Sequence, residues 1–215
     1  VNVFQPRRTL EIACAAGIVV SHISSFDVEA HGIDVSEWAI EHRFHENVIL
    51  AGTEKLPYED NYFDMVYSVH ALEHLPANVK DEALKEISRV CDGVQFHMMP
   101  MLNSGPYVGD RFAHLLNLRT DPTHNLLHEK EWWRTQFKKH AWADTGLQIA
   151  FAHDSPYFEF SDCQLIFCRT TQPDLANRVA IWNFGIAKLL SQALNGKPTC
   201  GLDVHVSRLV QSFSR

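Results

Sequence analysis

The chain has no surplus of positive charge, no long apolar run, and few of the glycines that a nucleotide-binding loop would carry. Its 19 Lys and Arg stand against 26 Asp and Glu, a net charge of -7. Long nucleic acid calls for clustered Lys and Arg to neutralise phosphates, so the balance argues against such a partner, though not against a single nucleotide. No stretch approaches a membrane span, and no basic-then-apolar leader precedes the first apolar run. The five cysteines, Cys14, Cys91, Cys163, Cys168 and Cys200, are odd in number, scattered and mostly set in apolar runs. They form no disulfide frame and read as reduced core residues of a cytoplasmic protein. At 215 residues the length suits one domain with a real core. The chain reaches its first strand almost directly after Val1, which reads as a trimmed piece or a fragment of a longer protein.

Strands and helices alternate through the first two thirds. Strands are predicted at Arg8 to Cys14, Val28 to Ile33, Asn47 to Leu50, Phe63 to Ser68 and Val94 to Met99. Between them fall a helix starting near Gly17, one capped by Ser36, and an amphipathic one from Lys80 to Cys91, after which Asp92-Gly93 turns the chain. A helix over Glu129 to Trp142 and strands at Leu147 to His153 and Cys163 to Arg169 follow. Such alternation implies a doubly wound, mostly parallel sheet with helices on both faces. Residues 101–128 lack periodicity and read as a lid insertion in a domain spanning 1–171. From 172 to 215 the character changes. Leu175, Val179, Trp182, Ile186, Leu189 and Ala193 recur at helical spacing, so residues 173–195 present one apolar stripe that must cover the domain, a second copy or another partner.

The first hundred residues carry the chemistry. An apolar strand runs into Ala13-Cys14-Ala15-Ala16-Gly17, and the next strand ends on Asp34. That order suits a strand-to-helix turn beneath a nucleotide, with an acid to hold its ribose. Of the expected glycines only Gly17 is present. Ala13 and Ala15 each add a methyl and disfavour a positive φ.

With these segments in place, the chain resembles the class I S-adenosylmethionine-dependent methyltransferases. Five pieces carry the resemblance: residues 10–17, Gly32 to Ser36, Gly52 to Asp64, Ser68 to Leu75, and Glu86 to Val90. The third, with Leu56-Pro57-Tyr58-Glu59-Asp60-Asn61-Tyr62-Phe63-Asp64, is the most specific. Asp121 to Trp142 looks like a segment of the small-molecule and sugar members. The resemblance implies a Rossmann-like seven-stranded sheet whose last strand is antiparallel, and S-adenosyl-L-methionine as cofactor. It places Glu11, Ala13, Cys14, Ala15 and Gly17 around the methionine part and Asp34 and Val35 at the ribose. Thr53 and Glu54 would flank the adenine, and Ser68, Val69 and His70 would close over the sulfonium. Gly52 stands where many relatives carry an acid.

Thirteen histidines are many for this length. His70, Glu73 and His74 follow the fourth strand at i, i+3 and i+4, and His124 and His128 lie in the lid. Together they make a candidate divalent-metal site, suited to Zn, Mn, Fe or Ni rather than Mg. It looks like the arrangement in metal-dependent 2′-O-methyltransferases, with His70 replacing the first Glu. Glu73-His74 equally suits a metal-free role, fixing the loop after the strand. His97 reads as a core histidine, and Trp132 and Trp133 as helix packing.

The expected reaction is methyl transfer to the oxygen of a small hydroxylated acceptor such as a sugar or glycan end, with His70, His74 or His124 as base. A catalytically inactive scaffold acting through residues 173–195 is the alternative, supported by Ala13, Ala15 and Gly52. A nicotinamide oxidoreductase fails on the missing G-x-G-x-x-G.

Overall fold

The computed structural model describes residues 4, 6–102, 104, 121–146 and 163–169. The expected strand at Leu147 to His153, most of the lid and the whole of 172–215 lie outside them. The elements in order are β1 (Arg8–Ile12), α1 (Ile18–Ser24), β2 (Glu29–Asp34), α2 (Glu37–Glu41), β3 (Val48–Leu50), β4 (Phe63–Val69), a 3-10 turn (Leu72–His74), α3 (Lys80–Val90), β5 (Cys91–Met98), α4 (Lys130–Lys138), β6 (Trp142–Asp144) and β7 (Gln164–Arg169).

The strands form one seven-stranded sheet of order β3-β2-β1-β4-β5-β7-β6. The first five are mutually parallel, and β7 pairs antiparallel with both β5 and β6. This is the Rossmann-like arrangement expected. Because both faces are covered, alternate residues of a strand serve different cores. Leu10, Ile12, Ile33 and Val66 pack on one side with Ala83, Leu84, Ile87 and Val90 of α3 and Trp133 and Phe137 of α4. On the other side lie Met65, Tyr67, Val94, Phe96, Met98 and Ile166, and beside them Val20 of α1 with Cys14, Ala30 and Val48. The four described cysteines are buried.

Several boundaries differ from expectation. β1 stops at Ile12 because Ala13 takes a φ of 55° and leaves the extended conformation. No turn separates α3 from β5: the backbone becomes extended at Cys91, and Asp92 and Gly93 lie within the strand. A bulge between Phe63 and Met65 brings the Asp64 carbonyl so close to Gly93 that an added Cβ would sit 2.1 Å from it. Only glycine fits there. The helix expected to reach Trp142 ends at Lys138. Ala141 turns through a φ of 63°, and Trp142 opens β6, the antiparallel neighbour of β7. Periodicity alone carried the helix too far, since Trp142 stays buried on either reading.

Candidate functional site

The carboxyl ends of β1, β2 and β4 bring together most of the residues named from sequence. At β1 the chain turns through Ala13 and Ala15, with φ of 55° and 49°, before Gly17 caps α1 at φ 74°. The alanines thus adopt the left-handed backbone that their Cβ atoms disfavour. Gly17 has no substitute, because a Cβ would lie 2.3 Å from Val48 Cγ2. Asp34 ends β2 and holds this turn in place: Oδ2 accepts from Ala15 N at 2.8 Å and Oδ1 from Ser36 N at 2.9 Å. Val35 beside it is 76% exposed, an apolar side chain at the rim with nothing over it among the described residues.

Glu11, one turn of chain below, is buried and accepts from the Tyr67 hydroxyl at 3.3 Å. Burial pushes its carboxyl up to about 7, against a smaller lowering by that hydroxyl. Burial also pushes the Cys14 thiol up to about 12, so it is no nucleophile. Beyond β3, Thr53 is half-buried and Glu54 exposed. The Glu54 carboxylate oxygens lie 2.6 and 2.7 Å from the point a Cβ on Gly52 would occupy. The Glu54 carboxylate thus lies against position 52, a relation the sequence alone did not suggest.

The loop from Leu56 to Asp64 is held from α3. Arg89 donates to the carbonyls of Leu56 at 3.0 Å and Tyr58 at 2.7 Å and to Asp60 at 2.9 Å, while Glu86 Oε2 accepts from Leu56 N at 3.0 Å. Two of the segments singled out in sequence are thus the two halves of one clamp. The Ser68 side chain is fully buried and its hydroxyl pairs with His97 Nδ1 at 2.8 Å, so it presents no side chain to the rim. The other nitrogen of His97 meets Gln95 Oε1 at 3.0 Å, and burial pushes the ring down to about 3. It is the neutral core histidine expected. Val69 is half-buried at the strand's end.

After β4, His70 takes a φ of 51° while its N–H bonds Met98 O at 2.8 Å. His70 Nδ1 stands 3.4 Å, and His74 Nε2 3.9 Å, from Glu73 Oε1. The 121–128 segment lies along this turn: Leu126 N bonds Glu73 O at 2.9 Å, and Asn125 Nδ2 bonds His74 O at 2.9 Å. It brings the His124 ring within 4.8 Å of that of His74, centroid to centroid. His128 does not join them; it stacks on Trp132 at 3.6 Å. Asp121, Thr123 and Asn125, which seat the two histidines, have no assigned role in the sequence reading. Their signal was the Asp121-Pro122-Thr123-His124 run itself.

Residues 10–93 match the family model described as a methyltransferase domain. The chain is 28% identical over 120 residues to a sterol 4-C-methyltransferase of Caenorhabditis elegans, covering 51% of this chain and 35% of that protein. It is 28% identical over 99 residues to an ajmaline N-methyltransferase of Rauvolfia serpentina, covering 40% and 33%. The chain thus spans about a third of the length of these two relatives. Among solved structures, a SAM-dependent methyltransferase of Archaeoglobus fulgidus superposes with a TM-score of 0.57 at 20% identity, over 78% of this chain and 87% of that one. The YcgJ protein of Bacillus subtilis does so with 0.55 at 21%, over 82% and 76%. The chain shares with these two structures the fold described above, a seven-stranded, mostly parallel sheet between helices.

Proposed function

We propose that this chain binds S-adenosyl-L-methionine across the carboxyl edge of its sheet and directs the methyl group to the oxygen of a small hydroxylated acceptor, such as a sugar or glycan end. One observation carries the cofactor half: Asp34 closes the Ala13–Gly17 turn from the tip of β2 while that turn holds the conformation glycines would give. Each oxygen of Asp34 keeps a lone pair for a ribose hydroxyl, Val35 offers apolar surface, and Glu54, against Gly52, offers an acceptor for an adenine amino group. The residues fit the group.

Transfer forms an oxygen–carbon bond as the methyl–sulfur bond breaks, the electron pair remaining on sulfur. What the chain must add is alignment and a home for the hydroxyl proton. His70, beside the rim and 3.4 Å from Glu73 Oε1, is suited to take it. The activities for which the two relatives are named, on carbon and nitrogen, keep N-methylation as the next choice.

Calorimetry with S-adenosylhomocysteine tests this reading. Micromolar binding is expected, abolished in Asp34→Ala and weakened about tenfold in Glu54→Gln, the worth of one charge-assisted hydrogen bond. No heat at millimolar ligand would leave the inactive scaffold acting through residues 173–195.

A further inference from the structure

Glu73 is wholly enclosed, yet among the described residues neither of its carboxylate oxygens has a hydrogen-bond donor. His124 Nδ1 is likewise enclosed without one. A carboxylate out of water with no donor is among the least favourable arrangements a folded chain can hold. It persists where something positive balances it.

The surrounding bonds show which atoms have been left over. Thr123 Oγ1 gives its proton to Asp121 Oδ1 at 2.5 Å, so toward His74 it can only accept. His74 Nδ1, 2.8 Å from that oxygen and 3.3 Å from the Thr123 carbonyl, therefore carries the ring proton. In the neutral ring this leaves Nε2 with its lone pair, and Nε2 is the atom 3.9 Å from Glu73 Oε1. On the second ring, Asp121 Oδ2 stands 3.3 Å from Nε2 and keeps the proton on that side, leaving Nδ1 as the lone-pair nitrogen. One ligand atom from each of Glu73, His74 and His124 lies within 4.8 Å of the others. Three electron-pair donors converge, the two imidazoles each turned inward by a partner on the far side of the ring.

We propose that Glu73, His74 and His124 form a binding site for a divalent cation of borderline softness: Zn, Mn, Fe, Co or Ni. Two imidazoles and one carboxylate suit such ions better than the all-oxygen sets of Mg and Ca. Bonds of about 2.0–2.2 Å bring tetrahedral ligand atoms to about 3.4 Å apart, so the side chains close by about an ångström on loading. Asp121 and Thr123 orient the two rings as carboxylate and hydroxyl partners do behind metal-bound histidines. Three protein ligands leave a coordination position open to water or a substrate oxygen, on a rim bordered by His70.

The test needs no methyl donor, so its outcome is separate from that of the cofactor reading. The untagged full chain, stripped with a chelator, is titrated with Co²⁺ while its visible absorption is followed, and with Zn²⁺ against a chromophoric chelator. One equivalent is expected to bind saturably. Glu73→Gln and His124→Ala each weaken it about 100-fold, and Asp121→Asn about tenfold. His128→Ala, whose ring is stacked on Trp132, binds as the parent chain does. Should a ligand variant fail to fold, thermal unfolding of the parent chain decides: Zn²⁺ raises its midpoint and chelator reverses the rise. No saturable binding, binding undiminished in folded ligand variants, or a midpoint indifferent to metal overturns the proposal.

Discussion

Ala13 and Ala15 hold left-handed φ angles, and so does His70 across the rim. For an L-residue that conformation costs about 1–2 kcal/mol, and such strain gathers where a site over-determines the backbone. Asp34 supplies the determination at Ala15 by bonding its N–H. Restoring glycine should therefore stabilise the protein: Ala15→Gly is expected to raise the unfolding free energy by about 1 kcal/mol in urea, and the double variant by about twice that. A fall in stability would mean the turn differs from the one described. Sequence revealed that these positions are unusual, since alanine stands where the family resemblance expects glycine. That the backbone keeps the glycine-like shape regardless was decided by Asp34, nineteen residues away from Ala15.

At the level of elements, the clamp between α3 and the loop before β4 joins residues some thirty positions apart. Arg89 is half-buried and holds two carbonyls and two carboxylates at once. Arg89→Ala is expected to cost about 2–3 kcal/mol and to speed amide exchange at Leu56, whose N–H bonds Glu86. Arg89→Lys should recover little, because one ammonium cannot reach these diverging acceptors. Hydrogen exchange by mass spectrometry reads both. Strand and helix positions here were legible from hydrophobic alternation. The bulge at Asp64, the direct passage from α3 into β5 and the β6 strand at Trp142 were not, because each depends on which neighbour the backbone pairs with.

Across the whole molecule, two buried groups of opposite character set the pH profile of stability. Glu11, raised to about 7, keeps a proton that the unfolded chain releases above its ordinary value near 4.5, so it lowers stability as pH rises through that window. His97, lowered to about 3, stays neutral while the unfolded chain takes up a proton below about 6.5, so it lowers stability as pH falls. Between about 4.5 and 6.5 the two slopes cancel, and a broad maximum is expected there. Glu11→Gln should remove the alkaline fall, leaving stability rising to about 6.5 and then level, with a gain of about 2–3 kcal/mol at pH 8. Denaturant titrations across pH check this, and an unchanged alkaline limb would show that Glu11 ionises freely in the native state.

Local order was written in the sequence. Alternating runs, the Ser36 cap, the small residues after β1 and the acid closing β2 each act over a few residues, so a doubly wound sheet and its rim followed from them. Long-range juxtaposition was not. Only the folded chain turned Ser68 inward to His97, withdrew His128 onto Trp132 and laid Glu54 over Gly52, and of the histidines grouped from sequence it brought His74 and His124 together with Glu73. Those contacts rest on strand order and on the course of 121–128, which short-range propensity does not encode.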